Sequence, residues 1–289
     1  MTNTRRIAAN GLEFVAIEAG DGPLVLLLHG FPDHHLSWTQ MVETLAAQGF
    51  HAVAPAMRGF APTGPGPDGC YQSWATGADA IALIDALGYD DAIVIGHDWG
   101  AAAAYAAARQ APERISKLIT LSVPHGPQLG AAFITNGDQQ RRSWYMFYFQ
   151  MPFAEAAIEF NDYAFIDRLW AEWSPGYVAS AEDRAALKQM FAANGVLKDT
   201  LAYYRQTFSA VPDHPDWADR QSELAGPIAA PALYLHGAND GCIGVEVSDG
   251  MESYFPAGLR KVVVSNSGHF LHLEQPDVVA DHILAFIRS

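Results

Sequence analysis

Ala92-Ile93-Val94-Ile95-Gly96-His97-Asp98-Trp99-Gly100 runs from an apolar stretch, through two glycines bracketing an aspartate, into the alanine-rich stretch Ala101 to Ala108. The pattern predicts a strand, a sharp turn and a helix, with a carboxylate at the apex. Small residues two places either side of the apex suit such a turn, because bulk at either flank collides as the backbone folds back. The side chain of Asp98 is then pushed out over a sheet edge. A serine at such an apex suits attack on an ester or amide carbonyl, but it needs a neighbouring base to take its proton. Aspartate side chains are ordinarily ionised at neutral pH and need no base. A carboxylate there attacks a saturated carbon directly, giving an alkyl ester that a base-activated water must hydrolyse.

Outward from this turn, short apolar runs alternate with helical patterns. Pro23 to Leu28, His51 to Pro55, Ala92 to Ile95 and Ile115 to Leu121 read as strands, as do Pro231 to Leu235 and Lys261 to Val264, with Asp277 to Ile287 as a closing helix. Strands apolar on both faces and separated by helices imply a mostly parallel sheet covered by helices on both faces, an α/β class. From about Gln128 to Pro212 no buried strand is recognisable and aromatics recur at helical spacing: Trp144, Tyr145, Tyr148 and Phe149, then Tyr203, Tyr204 and Phe208. The expected organisation is a core of residues 1–127 and 213–289 with an inserted helical cap, 128–212. Ligands of open parallel sheets bind beyond the carboxyl ends of the strands, where the cap would roof Asp98.

Other candidate residues follow later strand ends. His29-Gly30-Phe31-Pro32 follows the run Leu24 to Leu28, which places the Phe31 N–H, with that of Trp99, to face a developing oxyanion. Asp240, after Ala232 to Leu235, and His269, after Val262 to Val264, complete the order nucleophile, acid, histidine. His269 is the candidate base and Asp240 its orienter.

The chain has 289 residues, half of them hydrophobic, which excludes general disorder. A formal net charge of -15 would repel a phosphate-rich partner, so nucleic acid is not an expected ligand. The polar start Met1 to Arg6 shows no apolar signal region, and no apolar run approaches the length of a membrane span. Cys70 and Cys242 lack metal-ligand spacing and suit a reducing compartment. The expectation is a soluble cytoplasmic protein; the sequence leaves oligomeric state open, a homo-oligomer included. Without a ligand cluster or a phosphate-cradling glycine loop, neither metal nor organic cofactor is expected.

Gly96-His97-Asp98-Trp99-Gly100, His29-Gly30-Phe31-Pro32, Asp240 and Gly268-His269 together make the chain resemble an epoxide hydrolase of the alpha/beta-hydrolase fold, over essentially its whole length. Haloalkane and haloacid dehalogenases share most of these motifs. The leaving group separates the options, since an opened epoxide leaves an alkoxide that demands a donor, whereas a halide leaves without a proton. The resemblance implies two cap tyrosines for this purpose, matched here to Tyr145 in Trp144-Tyr145-Met146-Phe147-Tyr148 and to Tyr204 in Ala202-Tyr203-Tyr204-Arg205. Tyr148, one helical turn from Tyr145, and Tyr203, beside Tyr204, remain alternatives. Many dehalogenases carry Asn where this chain has Phe31, and fluoroacetate-type enzymes an arginine where it has Trp99. The implied partners are a small apolar epoxide and water; the rival readings are a dehalogenase with the same nucleophile and a non-catalytic ligand-binding member of the fold.

Overall fold

The computed structural model describes residues 2–209 and 215–289. In chain order they form β1 (Asn3–Ala9), β2 (Leu12–Ala19), β3 (Leu24–Leu28), α1 (Thr39–Ala47), β4 (His51–Pro55), α2 (Ser73–Leu87), β5 (Ala92–His97), α3 (Trp99–Gln110) and β6 (Ile115–Leu121). Seven helices follow: α4 (Gln128–Thr135), α5 (Gly137–Arg142), α6 (Trp144–Tyr148), α7 (Ala154–Trp173, broken at Phe160 to Tyr163), α8 (Ala181–Phe191), α9 (Val196–Phe208) and α10 (Pro215–Ser222). The chain returns to the sheet with β7 (Ala232–Gly237) and β8 (Leu259–Val264), and closes with α11 (Leu271–Glu274) and α12 (Pro276–Ile287).

The eight strands lie in the order β1-β2-β4-β3-β5-β6-β7-β8. From β4 to β8 all neighbours are parallel, and strand residues alternate between two cores. Leu24, Leu26, Leu28 and Val94 point into one core, while Val25, Leu27, Ile93 and Ile95 point into the other. Leu83 and Ile84 of α2 and Ala101 and Ala104 of α3 cover the first face; Val42 and Leu45 of α1 and Val279 and Ile283 of α12 cover the second. Burial on both faces explains why these strands read as unbroken apolar runs.

The amino-terminal segment adds a feature that the apolar runs do not signal. Asn10 and Gly11, with φ of 46° and 76°, turn the chain between β1 and β2, and both β1–β2 and β2–β4 are antiparallel. Asn-Gly is the dipeptide that a two-residue hairpin favours. β5 runs two residues beyond Ile95 and so delivers the chain directly to Asp98. Between β6 and β7 the described residues contain helices and no strand; the expected boundary at 212/213 falls outside the described residues. No helix among the described residues is long and apolar enough to cross a membrane. Both cysteines are buried, and neither forms a disulfide.

Candidate active site

At the end of β5 the backbone reverses at Asp98 with φ 52° and ψ -120°, a conformation that costs a non-glycine residue on the order of 1–3 kcal/mol. Its neighbours permit the turn. A Cβ at Gly96 would lie 2.2 Å from the Gly100 carbonyl oxygen, and one at Gly100 would lie 2.1 Å from that of Leu28. Backbone atoms cannot yield as a side-chain tip can, so Gly100→Ala is expected to destabilise the protein by about 3 kcal/mol or more, the upper range of overpacking costs. The urea midpoint checks this, and an unchanged midpoint would mean that the end of β3 gives way freely.

The segment after β3 closes on the carboxylate from the other side. The Phe31 N–H donates to Asp98 Oδ1 at 2.7 Å. A Cβ at Gly30 would meet that oxygen at 2.3 Å and the Trp99 nitrogen at 2.7 Å, so glycine there lets both backbone amides crowd the carboxyl group. The two expected oxyanion donors are thus neighbours of the apex, with Phe31 already bonded to it.

Beyond β7 and β8, His269 and Asp240 meet in a buried pair. Asp240 Oδ2 accepts from His269 Nδ1 at 2.9 Å, while Oδ1 accepts from the Cys242 and Ile243 N–H groups at 2.7 and 2.9 Å. His269 Nε2 stands 3.5 Å from Asp98 Oδ2. Burial opposes charge on the imidazole, yet the Asp240 carboxylate, aided by the hydrogen bonds to Asp240 and Asp98, pushes His269 well above its usual value. Burial likewise opposes charge on Asp240, but His269 and His236 hold it below the usual carboxylate range. The sequence-derived trio converges at one sheet edge from strand ends far apart in the chain.

The tyrosines separate by environment. Tyr145 and Tyr204 are fully buried with ring centroids 5.7 Å apart, and Tyr204 packs on Trp99 at 5.0 Å, Phe31 at 5.5 Å and Phe149 at 5.1 Å. Burial raises both phenols well above their usual value and the charge of Asp98 adds to it, so both stay protonated. The Tyr204 hydroxyl and the Trp99 indole N–H lack hydrogen-bond partners among the described residues. Tyr203 turns away and donates to the Arg58 carbonyl at 2.8 Å; Tyr148 packs with Trp144, Phe153 and Phe165. Of the alternatives left open by the sequence, Tyr145 and Tyr204 are the pair beside the carboxylate.

Several supporting residues escape a motif reading. His97 Nε2 and Ser122 Oγ both donate to the His269 carbonyl, at 2.9 and 2.7 Å, and the Trp173 carbonyl accepts from the His269 N–H at 3.0 Å. Asp33, buried behind this loop, has His272 3.6 Å away. Metal-ligating residue types gather in two groups among the described residues, Asp240–Cys242–His269 and Asp33–His97–His272. In the first, His269 donates to the Asp240 carboxylate; in the second, His272 Nε2 stands 3.6 Å from Asp33. A cavity of about 650 Å³ opens between the segment after β3 and helices α7 and α8; Asp98 does not line it, but Trp170 does and stacks on Phe270, the neighbour of His269, at 3.9 Å.

Residues 23–276 match the family model of the alpha/beta hydrolase fold. Epoxide hydrolase 4 of Mus musculus is 30% identical over 293 residues, which covers 98% of this chain and 79% of that protein. The chain belongs to the epoxide hydrolases of the alpha/beta hydrolase fold. Within this family, epoxide hydrolase A of Mycobacterium tuberculosis is 26% identical over 312 residues, covering 99% of this chain and 97% of its own. An epoxide hydrolase of Bacillus megaterium in complex with an inhibitor superposes with a TM-score of 0.85 at 26% identity, over 99% of this chain and 100% of that one. A Vigna radiata epoxide hydrolase does so at 0.84 and 27% identity, over 99% and 98%.

Proposed function

We propose that this protein hydrolyses an apolar epoxide to a vicinal diol through an ester on Asp98. The observation that carries the reading is the position of that carboxylate, on a turn facing His269 Nε2 at 3.5 Å, with two buried phenols close enough for its charge to raise them. Asp98 attacks one ring carbon, the C–O bond breaks, and the departing oxygen takes a proton from Tyr145 or Tyr204. The imidazolium of His269 passes its proton to the tyrosinate, and the neutral imidazole then takes a proton from water as the water oxygen attacks the ester carbonyl. The Phe31 and Trp99 N–H groups stabilise the oxyanion. Collapse returns the Asp98 carboxylate and frees the diol, and His269 keeps the proton taken from water, as in the resting protein.

Residues 128–212 act in this reading as a cap whose aromatic face, with Phe149, Trp173 and Tyr204, receives the apolar part of the substrate. Two buried cysteines outside any disulfide fit a cytoplasmic site of action. A dehalogenase with the same nucleophile is the second reading, because the unpartnered indole N–H of Trp99 suits a halide. Repeated turnover of styrene oxide in ¹⁸O-water tests the ester route. Water attacks the Asp98 carbonyl, so the peptide containing Asp98 is expected to gain heavy oxygen; label confined to the diol would mean direct attack of water on the epoxide.

A further inference from the structure

Cys242 belongs to no motif and stands two residues beyond Asp240, yet its sulfur is the hydrogen-bond partner of the Tyr145 hydroxyl, Sγ to Oη 3.2 Å, with both residues fully buried. Its position is fixed from two sides. Asp240 Oδ1 accepts from the Cys242 N–H at 2.7 Å, and the buried Gln139 of α5 donates to the Cys242 carbonyl at 3.0 Å while accepting from the Gly244 N–H at 2.9 Å. Gln139 also donates to Ser143 Oγ at 2.8 Å, just ahead of Tyr145. One residue thus ties the loop after β7 to the helix that carries the phenol.

We propose that Cys242 is a positioning residue for the acid Tyr145, its S–H turning to donate to the phenol oxygen when the phenolic hydrogen is given to the epoxide oxygen. This rests on the epoxide reading above. Sulfur is a weak acceptor, so it yields the phenolic hydrogen readily to an ether oxygen. A phenol oxygen that gains negative charge as the ring opens then needs a donor in a buried setting, and the thiol is the neighbour that supplies one. Burial also pushes the Cys242 thiol up, which keeps that hydrogen in place. A hydrocarbon at this position would leave the charged oxygen without the contact.

The experiment measures how fast adduct forms on Asp98, by time-resolved intact mass in a His269→Gln background, with styrene oxide as the probe. Cys242→Ala and the space-filling Cys242→Val are each expected to slow alkylation about tenfold, the worth of one hydrogen bond to a developing charge. Cys242→Ser, which keeps a donor, is expected to restore it. In a Tyr145→Phe background the same changes should have no further effect, because the coupling runs through the phenol. Alkylation equally fast without the thiol, failure of serine to rescue, or an undiminished effect once Tyr145→Phe has removed the hydroxyl overturns the proposal. Absence of any adduct in His269→Gln alone instead overturns the ester reading on which it rests.

Discussion

Replacement of His269 by glutamine is expected to halt the protein as a covalent ester, visible as a gain in intact mass equal to one molecule of epoxide. Alkylation needs the Asp98 carboxylate and a donor for the departing oxygen, neither of which His269 supplies. Hydrolysis of the ester needs a base, and an amide cannot accept a proton from water. The loss in turnover should fall in the range of about 10²- to 10⁴-fold that a positioned general base contributes. On the proposed reading, the charge arrangement lets one imidazole serve the second step without obstructing the first. In the resting protein, burial works against the imidazolium, but the carboxylates on either side of it win and its proton is held. Esterification removes the charge of Asp98, 3.5 Å from Nε2, and losing a nearby opposite charge lowers the pKa of a cation. In the proposed cycle the imidazole thus gives up its proton once the ester has been made, and the base form is present when water must be activated. Normal turnover by the glutamine variant, or loss of turnover without adduct, would remove His269 from this role.

What was legible in the chain, and what was not, divides along the range of the interactions. The Gly96 to Gly100 turn is a local steric problem, and the identity of two glycines encodes it; the contacts of 2.2 and 2.1 Å that added Cβ atoms would make are its three-dimensional form. Interior strands announced themselves because burial on both faces leaves no polar positions. The antiparallel β1–β2 hairpin was less visible because β1 is largely exposed, and its one short-range signal is Asn10-Gly11. Asp240 and His269 come together because strand ends of a parallel sheet share an edge, so chain order translates into proximity. The resemblance points to Tyr204, but spacing alone leaves Tyr203 open, since adjacent helical residues differ by about 100° in direction and only packing decides which faces inward. Cys242 and His97 were missed for a related reason. Their partners, the Tyr145 hydroxyl and the His269 carbonyl, lie 97 and 172 residues away, and nothing local in the sequence marks such pairs.

Removal of both phenolic hydroxyls, by Tyr145→Phe with Tyr204→Phe, is expected to abolish epoxide turnover by about 10⁴-fold, since loss of a single oxyanion donor costs about 10²- to 10³-fold. Phenylalanine keeps the ring contacts of Tyr204 with Trp99, Phe31 and Phe149, and of Tyr145 with Trp173 at 4.7 Å, so the site retains its shape. Stability should change little, because the lost Tyr145 contact is to sulfur, a weak hydrogen-bonding partner, and removal of the unpartnered Tyr204 hydroxyl relieves a desolvation cost that offsets it. An unchanged unfolding midpoint beside lost turnover therefore separates chemistry from folding. The comparison of styrene oxide with 1-bromobutane then divides the two aspartate-nucleophile readings. An alkoxide leaves poorly without a proton donor, while bromide leaves as the anion and needs only hydrogen bonds such as the Trp99 indole offers. Bromide release that persists in the double variant, with no epoxide turnover in the parent, would assign the site to carbon–halogen bonds. Epoxide opening that disappears with the hydroxyls ties the buried phenols to the oxygen of the ring.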